Sequence, residues 1–338
     1  MNNYITSLEN THFPVMLNEV IKISNPSEGG TYIDCTFGGG GYSRQLLKFP
    51  KTIVKGLDRD NKVRELGKKL EKNFPQRFEF HQTTFSQLNN ITKELADVII
   101  FDLGLSSIQL DDLKRGFSFK SNEDLDMSMG LNEISAQDVI NNLSELKLKL
   151  IIKILGEEKD ASKIAKNIIK TRLMKKISKV DQLVAIIEKS KRKNYLNKIN
   201  PSTKTFQALR IFVNKEITEL VTGIINATKI LKPGGKILIV SFHSIEDKIV
   251  KYFFSNFSSS RSNPSRYFPE NKANHISLFD KYKNEIFRPS HKEIINNPPS
   301  RSAKLRYATR SKNKFIYPEE LVDKFKKYLD LEESHVQD

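Results

Sequence analysis

The stretch YIDCTFGGGGYS, residues 32–43, decides the fold. It opens as an apolar β-strand that ends at Asp34, and four consecutive glycines, Gly38 to Gly41, follow almost at once. Glycine in the first turn after a strand lets a ligand approach the backbone closely, because no Cβ stands in the way. The stretch therefore predicts the first strand of an α/β domain with a ligand site directly behind it.

Apolar, β-branched runs recur along the chain and alternate with segments of helical spacing. The strand candidates are residues 31–35, 52–58, 78–81, 97–102 and 236–242. Strands that alternate with helices form a parallel sheet that is covered by helices on both faces. The predicted fold class is α/β, with a doubly wound, mostly parallel sheet.

The regular spacing breaks between the fourth and fifth strand candidates, which are separated by residues 103–235. One helical crossover fits into a βαβ unit of about 30 residues, so the surplus predicts an inserted subdomain. Its apolar residues recur at helical spacing in 163–173 and in 178–190, where Ser178 and Asp181 occupy capping-box positions. Residues 205–221 predict one further helix that returns to the main domain.

These boundaries predict three parts. The main domain is discontinuous and takes residues 1–108 and 204–311, the inserted helical subdomain takes 109–203, and a C-terminal tail takes 312–338. We expect the insert to recognise the substrate.

The distribution of charge points to a polyanionic partner. The chain of 338 residues carries 56 Lys and Arg against 40 Asp and Glu, a net charge of +16. Residues 146–200 hold 16 basic residues against five acidic ones, and residues 281–315 hold ten against two. Concentrated basic zones favour nucleic acid, because each neutralised phosphate releases counterions. Solvated lysine-rich helix faces are the alternative.

Composition excludes several classes. The mean hydropathy is −0.47, and no apolar run approaches 18 residues, so no membrane partner is expected. The N-terminus shows no secretory signal, which predicts a cytoplasmic location. The single cysteine, Cys35, excludes an internal disulfide and Cys-x-x-Cys metal sites, and no metal is predicted.

Residues that are missing from the glycine turn exclude two classes of ligand. A dinucleotide-binding G-x-G-x-x-G loop would need Gly or Ala where Ser43 stands, and a phosphate-binding G-K-[ST] triplet is missing. Asp58 and Asp102 end the second and fourth strand candidates, at the edge where the ligand of a parallel sheet binds. A glycine turn with carboxylates at the strand ends suggests S-adenosylmethionine as the cofactor.

Nine segments between about residues 11 and 311 resemble the bacterial ribosomal RNA small-subunit methyltransferase H family. In chain order they are HFPVMLNEV, YIDCTFGGGGYS, GLDRD, FDLGLSSIQLDD, RGFSF, LDMSM, TFQALRIFVN, LKPGGKILIVSFHSIEDKIVK and PPSRSAKLR. The resemblance implies a Rossmann-like class I methyltransferase fold. It also implies methylation of the exocyclic N4 amine of a cytidine in the decoding region of 16S rRNA, within the small ribosomal subunit.

The resemblance further implies a cofactor site. Its members are Gly40, Gly41, Tyr42, Asp58, Phe85, Asp102 and Gln109. Asp58 would hold the ribose and Phe85 would stack on the adenine. Asp102 would face the methionine ammonium or the substrate amine. Because the amine is a poor nucleophile, we further expect Asp102 or a neighbouring carbonyl to accept one of its hydrogens, which makes Asp102 a catalytic candidate. Tyr42 stands where the family commonly has His, and Ile108 where it often has Pro.

His243 is a second catalytic candidate, just beyond the fifth strand candidate, with Ser244 and Asp247 as the expected helix cap. It is either a proton acceptor, an RNA contact or a packed structural histidine.

The RNA-binding candidates lie in two segments. Arg115 and Phe117 of RGFSF would grip a flipped base, or else belong to the core of the insert. Arg301 and Lys304, together with Arg306, would contact the RNA backbone along a last strand.

Two other functions stay open. A non-catalytic RNA-binding ribosome-assembly factor on the same fold would keep the basic zones and lose the acids at the glycine turn. A nicotinamide-dependent oxidoreductase would need the third glycine. The sequence leaves the oligomeric state open, a homodimer included.

Overall fold

A computed structural model gives the fold and describes residues 14–92, 94–132, 134–191, 200–259 and 277–333. Its contacts divide the chain into two compact units. Unit 1 comprises Met1–Gly104 and Glu219–Lys324, and unit 2 comprises Leu105–Thr218 and Phe325–Asp338. This division differs from the expected domains, because residues 204–218 and the end of the C-terminal tail fall in unit 2.

The helices of the described residues are, in chain order, α1 Leu17–Ser24, α2 Gly41–Leu47, α3 Arg64–Asn73, α4 Leu88–Ile91, α5 Ser107–Asp111, α6 Ala136–Asn142, α7 Glu145–Ile154, α8 Ala161–Arg172, α9 Val180–Ser190, α10 Thr203–Asn214, α11 Glu216–Ile230, α12 Ser244–Asn256, α13 His291–Asn296 and α14 Glu319–Glu333. None of them has both the length and the apolar character that crossing a membrane requires.

The described residues of unit 1 form one six-stranded sheet. Its strands are β1 Gly30–Asp34, β2 Thr52–Asp58, β3 Phe78–Gln82, β4 Ala96–Asp102, β5 Leu231–Ser241 and β6 Lys304–Thr309. The spatial order is β3-β2-β1-β4-β5-β6, and only β6 runs antiparallel to its neighbour. The predicted α/β class and its mostly parallel sheet are confirmed, and β1 to β5 are the five predicted strands.

The centre of the sheet positions the site. Strand β4 is buried along Val98 to Phe101, as expected for a parallel strand that is covered on both faces. The chain passes outward from β1 to β2 and β3, then returns to β4 on the other side of β1. The strand order therefore reverses between β1 and β4, and ligands of open α/β sheets bind beyond the carboxyl ends at such a point.

Helix α3 shows how closely the helices lie on the sheet. Its buried residues Leu66 and Leu70 recur at i and i+4, and Gly67 lies between them. A Cβ on Gly67 would fall 2.3 Å from Cγ of Phe80 on β3. Burial of each leucine contributes about 2 kcal/mol, and a side chain at Gly67 would push the helix off the strand.

Unit 2 corrects the helix predicted for residues 205–221. The chain breaks there into α10 and α11, because Lys215 adopts the left-handed conformation with φ of 49°. The buried Asn214 next to the break accepts a hydrogen bond from the backbone N–H of Met129 (2.9 Å) and donates one to the carbonyl of Met127 (2.8 Å). This side chain thus ties the LDMSM segment to the end of α10.

The start of α9 also differs from the prediction. The backbone N–H groups of Ser178 and Lys179 donate to Oε1 of Gln182 at 2.9 and 3.1 Å. The predicted capping box of Ser178 and Asp181 is therefore wrong, since the glutamine side chain satisfies these donors.

Glu332, in the last turn of α14, caps the start of α11, which lies in unit 2. Its carboxyl group accepts hydrogen bonds from the N–H of Ile217 (3.0 Å), the N–H of Thr218 (2.7 Å) and the hydroxyl of Thr218 (2.7 Å). These donors lie in the first turn of α11, whose N–H groups have no partner within the helix. Burial raises the pKa of Glu332 to about 8.

We predict that Glu332→Gln removes a pH dependence from stability. Because the native pKa lies above the unfolded one, the stability from this group is fully present below about pH 4 and is lost as the pH rises through about 8. Urea unfolding of the wild type should weaken between about pH 6 and pH 9, and that of the glutamine variant should weaken less. Glu332→Ala should cost about 2 to 4 kcal/mol at neutral pH, because three donors lose their acceptor. A glutamine variant as unstable as the alanine variant at neutral pH would contradict this account.

Candidate functional site

The glycine turn is anchored to the neighbouring strand. The backbone N–H of Phe37 donates to the carbonyl of Leu57 (2.8 Å), and the N–H of Gly38 donates to Oδ2 of Asp58 (2.7 Å). Gly38 and Gly40 have φ of 49° and 74°, a conformation that side chains disfavour. The turn therefore leads directly from the end of β1 into α2, beside the end of β2.

Asp58 retains acceptor capacity at this turn. Its Oδ1 accepts the N–H of Asp60 (2.9 Å), and its Oδ2 accepts that of Gly38. A carboxylate offers about four lone-pair positions, so these two backbone bonds leave two for a ligand hydroxyl. Burial raises the pKa of Asp58 to about 6, although both hydrogen bonds oppose the rise.

Asp34 and Asp102 end the two strands at the switch point. Asp34 accepts the hydroxyl of Ser43 (2.7 Å), and the hydroxyl oxygen of Thr36 accepts the backbone N–H of Asp102 (2.7 Å). Burial raises the pKa of Asp34 to about 6. Burial and the charge of Asp34 also raise the pKa of Asp102 well above its usual range.

One oxygen of Asp102 is left for a ligand. Its Oδ1 is buried and has no hydrogen-bond partner within the described residues. A buried acceptor without a donor costs about 1–3 kcal/mol, so its persistence points to function. The crevice thus presents a carboxyl oxygen at the place where the fold binds ligands.

The predicted contacts at Gly41 and Tyr42 face the start of the described chain. A Cβ on Gly41 would fall 2.8 Å from Pro14, and the buried Tyr42 hydroxyl donates to the carbonyl of Val15. The N–H of Met16 donates to Oε1 of Glu293 in α13 (2.7 Å). Sequence reasoning missed Glu293, because nothing local links α13 to a turn some 250 residues earlier.

Phe85 forms a half-buried aromatic wall after β3. Its ring meets that of Phe101 edge to face, with centroids 5.4 Å apart, and a Cβ on Gly223 of α11 would fall 2.5 Å from its Cδ2. The ring is therefore fixed from two sides, as a stacking surface for a base requires.

Gln109 lies in unit 2, where it completes the capping box of α5. Its Oε1 accepts the N–H of Ser106 (3.0 Å), and its own N–H donates to the Ser106 hydroxyl (3.3 Å). A cofactor contact by Gln109 stays a prediction.

His243 is itself the N-cap of α12, so the predicted cap by Ser244 and Asp247 is wrong. Glu246 completes the cap: its Oε2 accepts the N–H groups of Phe242 (2.8 Å) and His243 (3.2 Å), and its own N–H donates to Nδ1 of His243 (3.4 Å). Nε2 lies 3.1 Å from Oε1 of Glu246. The cap gives Nδ1 a structural role, whereas Nε2 is buried without a hydrogen bond within the described residues, so a proton-accepting role of His243 stays a prediction.

Arg115 and Phe117 are both buried within unit 2. The guanidinium of Arg115, which is 9% exposed, donates to the carbonyl of Ser128 (2.8 Å) and lies 5.2 Å above the ring of Phe117. This geometry supports the core alternative over contact with a flipped base.

The C-terminal basic residues divide into two groups. Lys304 and Arg306 both bind Asp247 of α12, at 2.8 and 2.7 Å, and Arg306 is 2% exposed. The guanidinium of Arg306 also donates to the hydroxyl of Tyr282 (3.0 Å). Arg306 therefore joins β6 to α12, which corrects its expected RNA contact, whereas Arg301 is exposed and stays a candidate.

We predict that Arg306→Lys lowers the free energy of unfolding by about 2 to 4 kcal/mol, because a lysine cannot reproduce the fork of bonds to Asp247 and Tyr282. Thermal unfolding and RNA binding should be measured together, with Arg301→Lys as the exposed control. If Arg306→Lys leaves the unfolding temperature unchanged and weakens RNA binding, the structural assignment is wrong.

Comparison with known proteins identifies the family. The model of the MraW methylase family matches residues 9–311. Proteins named "Ribosomal RNA small subunit methyltransferase H" from Ehrlichia canis and Bartonella grahamii are 42% and 43% identical to this chain. The alignments cover 87% and 89% of this chain and 98% and 90% of those proteins.

Solved structures resemble the chain only remotely. An rRNA methylase from Streptococcus thermophilus is 9% identical, with a TM-score of 0.39 over 89% of this chain and 98% of that one. The sequence relatives decide the assignment. The chain belongs to the MraW methylase family and is a methyltransferase that uses S-adenosylmethionine.

Proposed function

We propose that this methyltransferase modifies the exocyclic N4 amine of a cytidine in the decoding region of 16S rRNA. The observation that carries the chemistry is the buried, unpartnered Oδ1 of Asp102 at the switch point of the sheet. The names of the relatives support small-subunit rRNA as the substrate. The motifs shared with the methyltransferase H family support the N4 position.

The residues of unit 1 fit the cofactor. Asp58 has acceptor capacity for ribose hydroxyls, and Phe85 offers a fixed ring for the adenine. Asp34 and Asp102 offer carboxyl oxygens to a cationic ligand, and the charge of that ligand would favour their ionised form. The cofactor supplies an electrophilic methyl group on a positively charged sulfur.

Asp102 deals with the main difficulty of the substrate. The N4 amine of cytosine is a weak nucleophile, because its lone pair is delocalised into the ring. A hydrogen bond from the amine to Oδ1 of Asp102 orients the amine and shifts electron density onto its nitrogen. In its ionised form, which the positive charge of the cofactor would favour, the same oxygen can receive the proton that the amine loses once it is methylated.

The charge of the chain supports a large anionic substrate. With a net charge of +16, the protein attracts RNA over several ångströms. Unit 2 contains residues 146–191, a segment rich in lysine and arginine. We assign substrate recognition to unit 2 and cofactor binding to unit 1, in a cytoplasmic enzyme that acts on the small ribosomal subunit.

We predict that Asp102→Asn lowers methyl transfer about 100-fold or more and changes the dissociation constant of S-adenosylmethionine much less. The amide keeps the shape of the side chain but cannot take up a proton. Asp97→Asn is the matched control, because Asp97 lies at the opposite end of β4, paired with Lys232 (2.8 Å), and should leave transfer unchanged.

The measurement is nucleoside mass analysis of small-subunit rRNA incubated with methyl-labelled cofactor, with cofactor binding followed by calorimetry. Label in N4-methylcytidine from the wild type and the control alone supports the proposal. Full transfer by Asp102→Asn would reject the role of Asp102. RNA binding by the wild type without any label would favour the assembly-factor alternative.

A further inference from the structure

A turn in unit 2 exposes two large apolar side chains among lysines. Leu173 and Met174 follow the end of α8 and are 81% and 76% exposed. Lys175 and Lys176 come next and are also exposed. We call Leu173 and Met174 the apolar tip. Neighbouring apolar side chains that are exposed this fully form a patch of the kind that binds a partner.

The residues before and after the apolar tip are fixed by hydrogen bonds. Before it, Nη1 of Arg172 donates to the carbonyl of Ile140 (2.7 Å). After it, Ile177 is buried and its backbone exchanges two hydrogen bonds with the side chain of Asn141, at 3.1 and 2.7 Å. Helix α6 therefore fixes the entry and the exit of the turn, so that little ordering entropy is lost when a partner binds.

The segment that contains the apolar tip is rich in basic residues. Residues 161–180 contain seven Lys and Arg and no Asp or Glu. Lys163, Lys166 and Lys170 are exposed and recur at helical spacing on α8, and we call them the basic stripe. Within the described part of the chain, no carboxylate pairs with the basic stripe or with Lys175 and Lys176. Lys179, farther on, is paired with Asp124 at 3.0 Å.

We propose that the basic stripe and the apolar tip together form a contact surface for rRNA, with an unstacked segment of the RNA as the occupant. Lysines that lack acidic partners complement phosphates, and their binding releases counterions. Leucine and methionine serve as wedges against the faces of bases that have left the stack. The nearest exposed carboxylates along the chain, Asp160 and Asp181, lie outside the segment 161–180, so the lysines of the surface are available to an anionic partner.

This inference rests on the proposed function and adds to it the place where unit 2 grips the substrate. The basic stripe positions the RNA backbone without reading its sequence, whereas the apolar tip selects RNA whose bases are accessible. The surface would thus favour a locally opened rRNA over a continuous duplex.

Two variants separate the contributions. Leu173→Ser with Met174→Ser keeps all charges and should weaken rRNA binding about tenfold at every salt concentration. Lys170→Ala with Lys175→Ala and Lys176→Ala should reduce the slope of log K against log salt by about two, since each phosphate contact on a single strand contributes about 0.7.

Matched controls lie in unit 1. Lys72→Ala with Lys229→Ala and Lys251→Ala removes the same charge from exposed helix positions, and Ile53→Thr with Leu95→Ser removes two exposed apolar side chains. Binding should be measured by filter retention on protein-free small-subunit rRNA and on the assembled subunit. Thermal unfolding tests whether each variant is folded, and calorimetry tests whether it binds S-adenosylmethionine.

The outcomes are distinct. The proposed contact surface is supported if the apolar-tip and lysine variants lose affinity for rRNA as described and the control variants do not. Wild-type affinity of the serine variant for protein-free rRNA overturns it, and a loss confined to the assembled subunit overturns it in favour of a ribosomal protein partner. A wild type that neither binds nor methylates rRNA would instead reject the proposed function itself.

Discussion

The reversal of strand order between β1 and β4 is the constraint on which the site depends. It places Asp34 and Asp102, which end two neighbouring parallel strands, at the same edge of the sheet. The connections that leave these two strands run to opposite sides, so neither covers this point. The hydrogen bond from the N–H of Asp102 to the hydroxyl of Thr36 fixes how far the two ends lie apart. Burial raises the pKa of both carboxyl groups, and the charge of Asp34 raises that of Asp102 further.

Such a cluster costs stability, and the backbone around it offsets part of the cost. The carboxyl of Asp58 accepts two N–H groups, and that of Asp34 accepts the Ser43 hydroxyl. Of the buried carboxyl oxygens of Asp34, Asp58 and Asp102, Oδ1 of Asp102 is the one without a hydrogen-bond partner among the described residues. The unsatisfied atom lies at the centre of the site, whereas the acids around it are held by the fold, which is the pattern expected where stability is traded for function.

Local features were predictable from the sequence, and long-range side-chain partners were not. Strands β1 to β5 follow from runs of apolar residues, because burial on both faces leaves a local signal. The break at Lys215 was missed because it depends on how Asn214 bonds to a loop about 85 residues earlier. Glu293 and Glu332 act across more than 100 residues, so no spacing rule reveals them. At His243, the cap began one residue earlier than predicted, which changed the partner from Asp247 to Glu246.

Charge counts along a sequence gain meaning only when burial is known. In the basic zone at residues 281–315, Arg306 is bound to Asp247, and Arg310 donates to the backbone carbonyls of Thr228 and Leu278. Both cations therefore stabilise the fold. Seven other basic residues of that zone remain exposed, and in residues 161–180 five lysines remain exposed. A buried arginine is fixed by bonds that phosphate cannot displace without unfolding, whereas an exposed lysine is free to exchange counterions for phosphate. Burial therefore removes Arg306 and Arg310 from the candidates for RNA contact, while exposed basic residues remain in both zones.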